Sequence, residues 1–508
     1  MHVIGVDIGT QSTKAVLVDA AGHIVAQAAR GYQVETPQAL WAEQRPEVWL
    51  GAVEQCVAEV VRRAALDPAS IAGLCVGSLY GGSGVPVDAE GMPTHPCLIW
   101  MDRRAEDEVA WVRRSVDLER LYDITGNGVD SYYGYTKMLW LREQRPDVWQ
   151  RTAQFLPPNS YVNAQLTGEV AVDHSSAGNI GGIYDMAECR WSDEMLAARG
   201  SPRAILPDRL VDSSAVVGGL LAAWAARLGL RAGLPVVAGG VDAAVATLAA
   251  GASCAGNHVA MIGTSMCWGT IRQHVDARDG LISMPHVVNG RHDLYVFGGA
   301  ITAGASVTWF RETFCQAEIA AGAARHVDPH ELLEQAARAV PGGALGLLFL
   351  PYLMGERSPI WDAKASGAFI GLGLHHGRGH LYRAVLEGIS FALQQNIETG
   401  THGGQALDEA LTVVGGASRS DLWMQIIADV TARPVQGSDS DAEASLGAAM
   451  LAALGTGVVA DAKALRGWTR TVERARPEPE ACARYAALYR QYVAAYPALR
   501  SVMHALRA

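Results

Sequence analysis

Asp242 follows two glycines. The run Val236-Val237-Ala238-Gly239-Gly240-Val241-Asp242 reads as an apolar strand, a glycine turn and the start of a helix that Ala243, Ala244 and Ala246 continue. A carboxylate at that point has two readings. It can cap the helix, or it can stand at the carboxyl end of a strand, where open α/β sheets bind ligands, and take a proton from a substrate hydroxyl. A second group of candidates lies in Asp7-Ile8-Gly9-Thr10-Gln11-Ser12-Thr13-Lys14. A tight hairpin rich in glycine and hydroxyls can aim backbone N–H groups at one anion. Gly9, Thr10, Gln11 and Ser12 make that turn, and Lys14 adds a charge for a phosphate oxygen. Asp7, at its mouth, could hold Mg2+ directly or through water. The dipeptide recurs as Gly263-Thr264, followed by Ser265, between two apolar runs. Two such hairpins facing each other across a cleft suit a polyphosphate, so a nucleotide ligand is expected.

Other chemistries lack their signatures. The chain has no G-x-x-x-x-G-K-[ST] phosphate loop and no G-x-S-x-G nucleophile turn. His375, His376 and His380 cluster without a carboxylate at ligand spacing and read as solvated loop histidines. Eight cysteines with no C-x-x-C spacing read as small thiols in a reducing cytosol. The 52 acidic and 41 basic residues give a net charge of −11, with no Lys/Arg run, so no nucleic-acid partner is expected. The opening MHVIGVDIG lacks the basic and apolar regions of a secretory signal. No stretch reaches the ~20 apolar residues of a membrane helix. A cytoplasmic protein without a membrane partner is the expectation; a homodimer is left open.

The elements that must position these residues alternate. Strands are expected at 3–6, 14–18 and 23–28, an amphipathic helix over 46–65 and a strand at 71–76, which argues for α/β architecture. The 508 residues, 49% of them hydrophobic, suffice for two large folded units. The hairpin recurs at 258–271. Thr412-Val413-Val414-Gly415-Gly416 also parallels Val236-Val237-Ala238-Gly239-Gly240. The recurrence predicts two similarly built domains, 1–250 and 251–508, divided just after the helix that begins at Asp242. An amphipathic helix over about 480–507 closes the chain.

Several separated motifs then point one way. Gly367-Ala368-Phe369-Ile370-Gly371-Leu372, seven residues, and His380-Leu381-Tyr382-Arg383-Ala384-Val385-Leu386-Glu387 match at every fixed position the second signature of the FGGY carbohydrate kinases. Thr136-Lys137-Met138-Leu139-Trp140-Leu141 resembles the core of the first signature, and Gly355-Glu356-Arg357-Ser358-Pro359 the GER-x-P loop. The chain thus resembles that family from residue 3 to about 454, most closely its xylulose kinases. The resemblance implies two actin-like (ribonuclease H-like) domains with a cleft between them. The first is the sugar side, with the first phosphate loop and the catalytic Asp; the second is the nucleotide side. It implies transfer of the γ-phosphate of MgATP to a primary hydroxyl of a small ketose or polyol.

The same resemblance assigns residues. Asp242 matches the catalytic base, residues 7–14 the first phosphate loop, and Gly263-Thr264-Ser265 the second. Gly415, Gly416 and Ala417 match the adenosine motif, and Gly304 and Thr308 lie in another nucleotide-side segment. At the sugar the pattern departs. Xylulose kinases carry Met-His where this chain has Leu79-Tyr80, Asn-Asp where it has Met101-Asp102, and Asn where it has Ala243. Glycerol kinases, with Arg-Glu and Gln at the first and last of these, fit no better. Leu79, Tyr80, Trp100, Asp102 and Arg103, with Arg104, are the polar and pocket candidates. Changing a pocket's polar groups should change its sugar. The rival reading is a non-catalytic sugar sensor or an actin-like nucleotide switch.

Overall fold

The computed structural model of the chain describes residues 1–274, 280–402, 404–438 and 444–507. It opens with the antiparallel strands β1 (His2–Ile8), β2 (Ser12–Asp19) and β3 (Ile24–Gly31), followed by the helix α1 (Pro46–Ala64) and the strand β4 (Ile71–Ser78). Much further along come α2 (Gly134–Gln144), β5 (Val216–Gly219), β6 (Pro235–Val237) and α3 (Asp242–Ala249). These strands form one sheet in the order β5-β6-β4-β1-β2-β3, with β1, β4 and β6 parallel. Val3, Ile4, Val6 and Ile8 of β1 are all buried, the continuous apolar run expected of a central strand covered on both faces.

The second half repeats the plan. β7 (His258–Ile262) and β8 (Met266–Arg272) form the second hairpin, and β9 (Ile282–Pro285) and β10 (Leu294–Gly298) extend it. The helices α4 (Gly304–Phe314) and α5 (Arg378–Thr401) precede β11 (Leu411–Val414), α6 (Asp421–Thr431) and β12 (Val435–Ser438). Then come α7 (Ala444–Gly455), β13 (Thr471–Ala475) and the closing helix α8 (Pro479–Leu506). The strand order is β13-β12-β11-β7-β8-β10-β9, with β7, β11 and β12 parallel. Apart from the added edge strand β9, this is the order of the first sheet. The molecule is therefore α/β, built of two actin-like domains.

The topology corrects one detail of the repeat. The strand before Gly415-Gly416 is β11, which pairs directly with the hairpin strand β7, as β4 pairs with β1. β6, before Gly239-Gly240, is one strand further out, and its counterpart is β12. The two Gly-Gly ends are alike in sequence and stand at different places in the sheets.

The halves are joined through helices made of small residues. α7 reads ASLGAAMLAALG and lies on β1: a Cβ at Gly5 would stand 2.0 Å from the Ser445 carbonyl oxygen. On its other side Gly447 lets α7 approach α3, with the Val245 carbonyl 1.9 Å from where a Cβ would be. Only glycine permits backbones this close. Among the described residues no helix is long and apolar enough to cross a membrane.

Candidate active site

Three parallel strands of the first sheet end in one row. Ile8 of β1 pairs with Ser78 of β4, and Ser78 with Val241 just beyond β6. Neighbouring strands are about 4.8 Å apart, so Ile8 and Val241 stand about 10 Å from each other across the row. Asp7 precedes one end of that row and Asp242 follows the other. The arrangement puts the first hairpin and the Gly-Gly-Val-Asp turn on one edge, the carboxyl ends of the parallel strands.

Asp242 is the first residue of α3, and Val241 is the cap, with no side-chain capping bond. Among the described residues, the Asp242 carboxylate instead accepts the N–H of its neighbour Ala243, at 2.7 Å. The turn before it is tight. Gly239 has φ +77° and approaches the Val76 carbonyl so closely that a Cβ would lie 1.8 Å from its oxygen. Burial pushes the Asp242 carboxyl up to about 6, which the Ala243 N–H partly offsets. A carboxylate that is still ionised at neutral pH, and is a stronger base than an exposed one, suits proton abstraction.

The surroundings of Asp242 come from both halves. Its charge acts on the Tyr132 hydroxyl and the Cys267 thiol, and the Arg357 guanidinium acts on the same two groups with the opposite sign. Burial dominates both, raising Tyr132 to about 12 and Cys267 to about 11. Tyr132 packs against Gly81, whose φ of +83° turns the chain after Tyr80. Among the described residues, the Tyr80 hydroxyl and Arg357 Nε are buried atoms with no hydrogen-bond partner. Such groups are completed by a polar ligand or water. Tyr132, Cys267 and Arg357 were not singled out from sequence as site residues, although Arg357 lies in the GER-x-P loop.

Lys137 braces this wall. It is fully buried on α2, and its ammonium donates to the carbonyls of Gly81, Ser131 and Tyr132 at 2.9, 2.5 and 2.6 Å. It thereby ties the turn after Tyr80 to the segment carrying Tyr132.

The other sugar-side candidates are distributed differently from the expectation. Trp100 Nε1 donates to Thr10 Oγ1 at 3.0 Å, so the indole is joined to the first hairpin. Asp102 is corrected. It is fully buried, and its carboxylate accepts the Ala42 N–H at 2.7 Å and Arg104 Nε at 2.8 Å. The Arg104 side chain is nearly as buried, stacks 3.7 Å over the Trp41 ring and also pairs with Glu43 at 2.8 Å. That geometry makes Asp102 part of an internal ion-pair cluster and not a sugar ligand. Arg103 pairs with Asp130 and bonds Ser131 Oγ at 3.3 Å, so it too is engaged internally. Leu79 is 1% exposed and packs into the core of the first half, leaving Tyr80 as the polar member of that pair.

The first hairpin is internally tied. Gly9 N donates to Ser12 O at 2.9 Å, and the Tyr32 hydroxyl donates to Gly9 O at 2.7 Å. Gln11 is exposed at the tip, and Ser12 is half-buried. Lys14 and Asp7 face each other in register across β1 and β2.

A cavity of about 870 Å³ opens on the second half. Gly263, Thr264, Gly304, Thr308, Gly416 and Ala417 line it together, from three separate segments. Gly415 adjoins it, at φ +89° with its Cα beside the Ile262 carbonyl. Gly304 N donates to Gly263 O at 2.9 Å, and Ala305 N to Thr264 O at 3.0 Å, which locks the second hairpin to the start of α4. The sequence did not single out Glu331, Tyr382 and Trp423, which the helices deliver to the same cavity. A Cβ at Gly263 would meet nothing within 4 Å. Gly263→Ala should therefore fold normally, and with phosphates against this turn its methyl should push them back and raise the KM for ATP about tenfold, the scale of one displaced hydrogen bond to a charged group. Unchanged ATP kinetics would move the phosphates elsewhere.

Comparison with known proteins accords with this geometry. The family model described as "FGGY family of carbohydrate kinases, N-terminal domain" matches residues 2–249, and the corresponding C-terminal domain model matches residues 258–456. The chain belongs to the FGGY family of carbohydrate kinases. It is 33% identical over 460 residues to a xylulose kinase of Bacillus subtilis, covering 90% of this chain and 88% of the relative. It is 29% identical over 492 residues to a gluconokinase of Bacillus licheniformis, covering 95% and 93%. A crystal structure of a xylulose kinase from Rhodospirillum rubrum superposes with a TM-score of 0.90 at 32% identity, over 99% of this chain and 100% of that one. This FGGY protein is a sugar kinase, a phosphotransferase that uses ATP. The rival reading as a non-catalytic sensor or nucleotide switch finds no support in these matches.

Proposed function

We propose that this kinase transfers the γ-phosphoryl group of ATP to a primary hydroxyl of a small ketose or polyol, with xylulose as the leading substrate. The observation that carries the proposal is Asp242, raised to about 6 by burial, in one row with the first phosphate hairpin. The first domain, 1–250, holds the sugar and the first phosphate loop, and the second, 251–508, holds the adenosine in the cavity beside Gly416 and Ala417. Asp242 takes the hydroxyl proton as the sugar oxygen bonds to the γ-phosphorus. The bond from that phosphorus to the β–γ bridging oxygen breaks, and ADP leaves. Phosphoryl transfer depends mainly on positioning and charge stabilisation, which two hairpins across a cleft supply.

Mg2+ fits this donor set through Asp7. Among the described residues no group of three or more His, Cys, Asp or Glu could hold a metal ion. Asp7 would share the ion with phosphate oxygens, the usual manner for Mg2+. When bound, it neutralises phosphate charge.

A sugar acid is the second reading. It is favoured by the match to a gluconokinase and by a pocket that keeps neither the Met-His pair nor the Asn after the catalytic Asp. Coupled ADP release over a panel of ketoses, polyols and aldonates tests both readings. Turnover with a ketopentose supports the first, with an aldonate alone the second, and sugar-independent release contradicts both. The pH profile adds a further expectation. Asp242 must be ionised to act, so kcat/KM should rise about tenfold per pH unit below about pH 6 and level off above it. A profile flat from pH 5 to 8 would contradict a base of this kind.

A further inference from the structure

The carboxylate of Asp242 is useful only if the turn before it is fixed. That turn is held on all sides. Ala238 N donates to Ala215 O and Gly239 N to Ser213 O, both at 2.9 Å, and Gly240 O accepts Ser78 N at 3.0 Å. Ala238 O accepts Asn159 Nδ2 at 3.1 Å and Asn163 Nδ2 at 2.9 Å. The N–H of Val241, the residue bonded to Asp242, goes to a side chain instead: it donates to Ser175 Oγ at 3.1 Å.

Ser175 is fully buried and does not choose its own orientation. Its hydroxyl donates to Asp173 Oδ1, which also accepts Ser176 N at 2.9 Å, while Asp173 Oδ2 accepts Asn159 Nδ2 at 3.0 Å. With its proton committed to Asp173, the hydroxyl presents a lone pair to Val241 N. Gly240 allows the approach: a Cβ there would be 2.6 Å from Ser175 Oγ and 3.3 Å from Asp173 Oδ1. Asp173 caps the short helix that begins at His174 through Ser176 N, so that cap explains Asp173 without explaining the bond from Val241 to Ser175.

We propose that Ser175, oriented by Asp173, is a positioning residue for the general base, fixing the Val241–Asp242 peptide so that the carboxylate meets the substrate hydroxyl. The proposal rests on the reading of Asp242 as that base. Misplacing a reacting group by about an ångström costs on the order of a hundredfold. Ser175→Ala should thus lower kcat ten- to a hundredfold, leave the KM for ATP unchanged, and shift the acidic limb of the pH–rate profile.

A double-mutant cycle separates the proposal from a purely structural role. If Ser175 works through Asp242, then Ser175→Ala adds almost nothing to the loss already caused by Asp242→Asn. Ser175→Cys, nearly isosteric with a weaker acceptor, should fold where alanine does not and should show the same non-additivity at smaller size. The same fold-loss in both backgrounds, or wild-type kcat with an unmoved acidic limb in either serine variant, overturns the proposal. A wild-type rate for Asp242→Asn alone would instead overturn the base assignment, so the two failures are distinguishable.

Discussion

Asp242→Asn is expected to fold, to bind ATP, and to lose at least about a hundredfold in kcat. Asparagine keeps the size of the side chain and can still accept the Ala243 N–H, but it cannot take a proton. Stability should not fall. The folded carboxyl titrates near 6, above the roughly 3.9 of an unfolded aspartate, so the ionised form opposes folding increasingly as pH rises from about 4 to 6. Removing the charge at pH 7 leaves the melting temperature equal or higher. Asp242 is not the helix cap, so loss of capping does not confuse the result. Near-normal turnover in a well-folded variant would remove Asp242 from the mechanism.

Asp102→Ala is expected to fail by a different route. The truncation takes a carboxylate from a cluster in which the Arg104 side chain is 1% exposed and Asp102 fully buried. Ala42 N loses its acceptor, and Arg104 keeps Glu43 as its carboxylate partner among the described residues. Breaking a buried pair on one side costs roughly 3–5 kcal/mol, because the other charge stays buried. The melting temperature should drop by several degrees, and the folded fraction should keep its sugar KM. The alternative outcome, an unchanged melt with a raised sugar KM, would return Asp102 to the pocket as a ligand.

The contrast between these two aspartates shows how far the sequence could be read. The hairpin strands and the Gly-Gly turn before Asp242 are local features: apolar runs, glycines and hydroxyls within a few residues of each other. They give the same elements in three dimensions. Asp102, in contrast, looks like a polar pocket residue beside Trp100. Its backbone partner Ala42 lies 60 residues away, and Glu43, which shares Arg104 with it, is nearly as distant; neither carries a signature that links it to Asp102. The same limit applies to the repeat. The ends of β6 and β11 read alike, but strand order is set by which strands pair, and no local pattern records that. Ser175 lies in an unremarked Val-Asp-His-Ser-Ser stretch and meets Val241 across 66 residues. The cavity of the second half shows both sides. Gly263 was reached through the recurring hairpin and Gly304, Gly416 and Ala417 by resemblance to the family's motifs, while Glu331 and Trp423 lie outside every motif and Tyr382 lies within the second signature with no role attached to it.

The central claim is that Asp242 and the two hairpins carry a phosphoryl group from ATP to a sugar hydroxyl. Phosphorus-31 NMR of the enzyme with ATP, Mg2+ and xylulose tests it most directly. One ADP is expected for each new phosphate monoester, with the ester on a terminal carbon, and no ester is expected from Asp242→Asn. ADP accompanied by inorganic phosphate alone, or ester formed at the wild-type rate by Asp242→Asn, would contradict it.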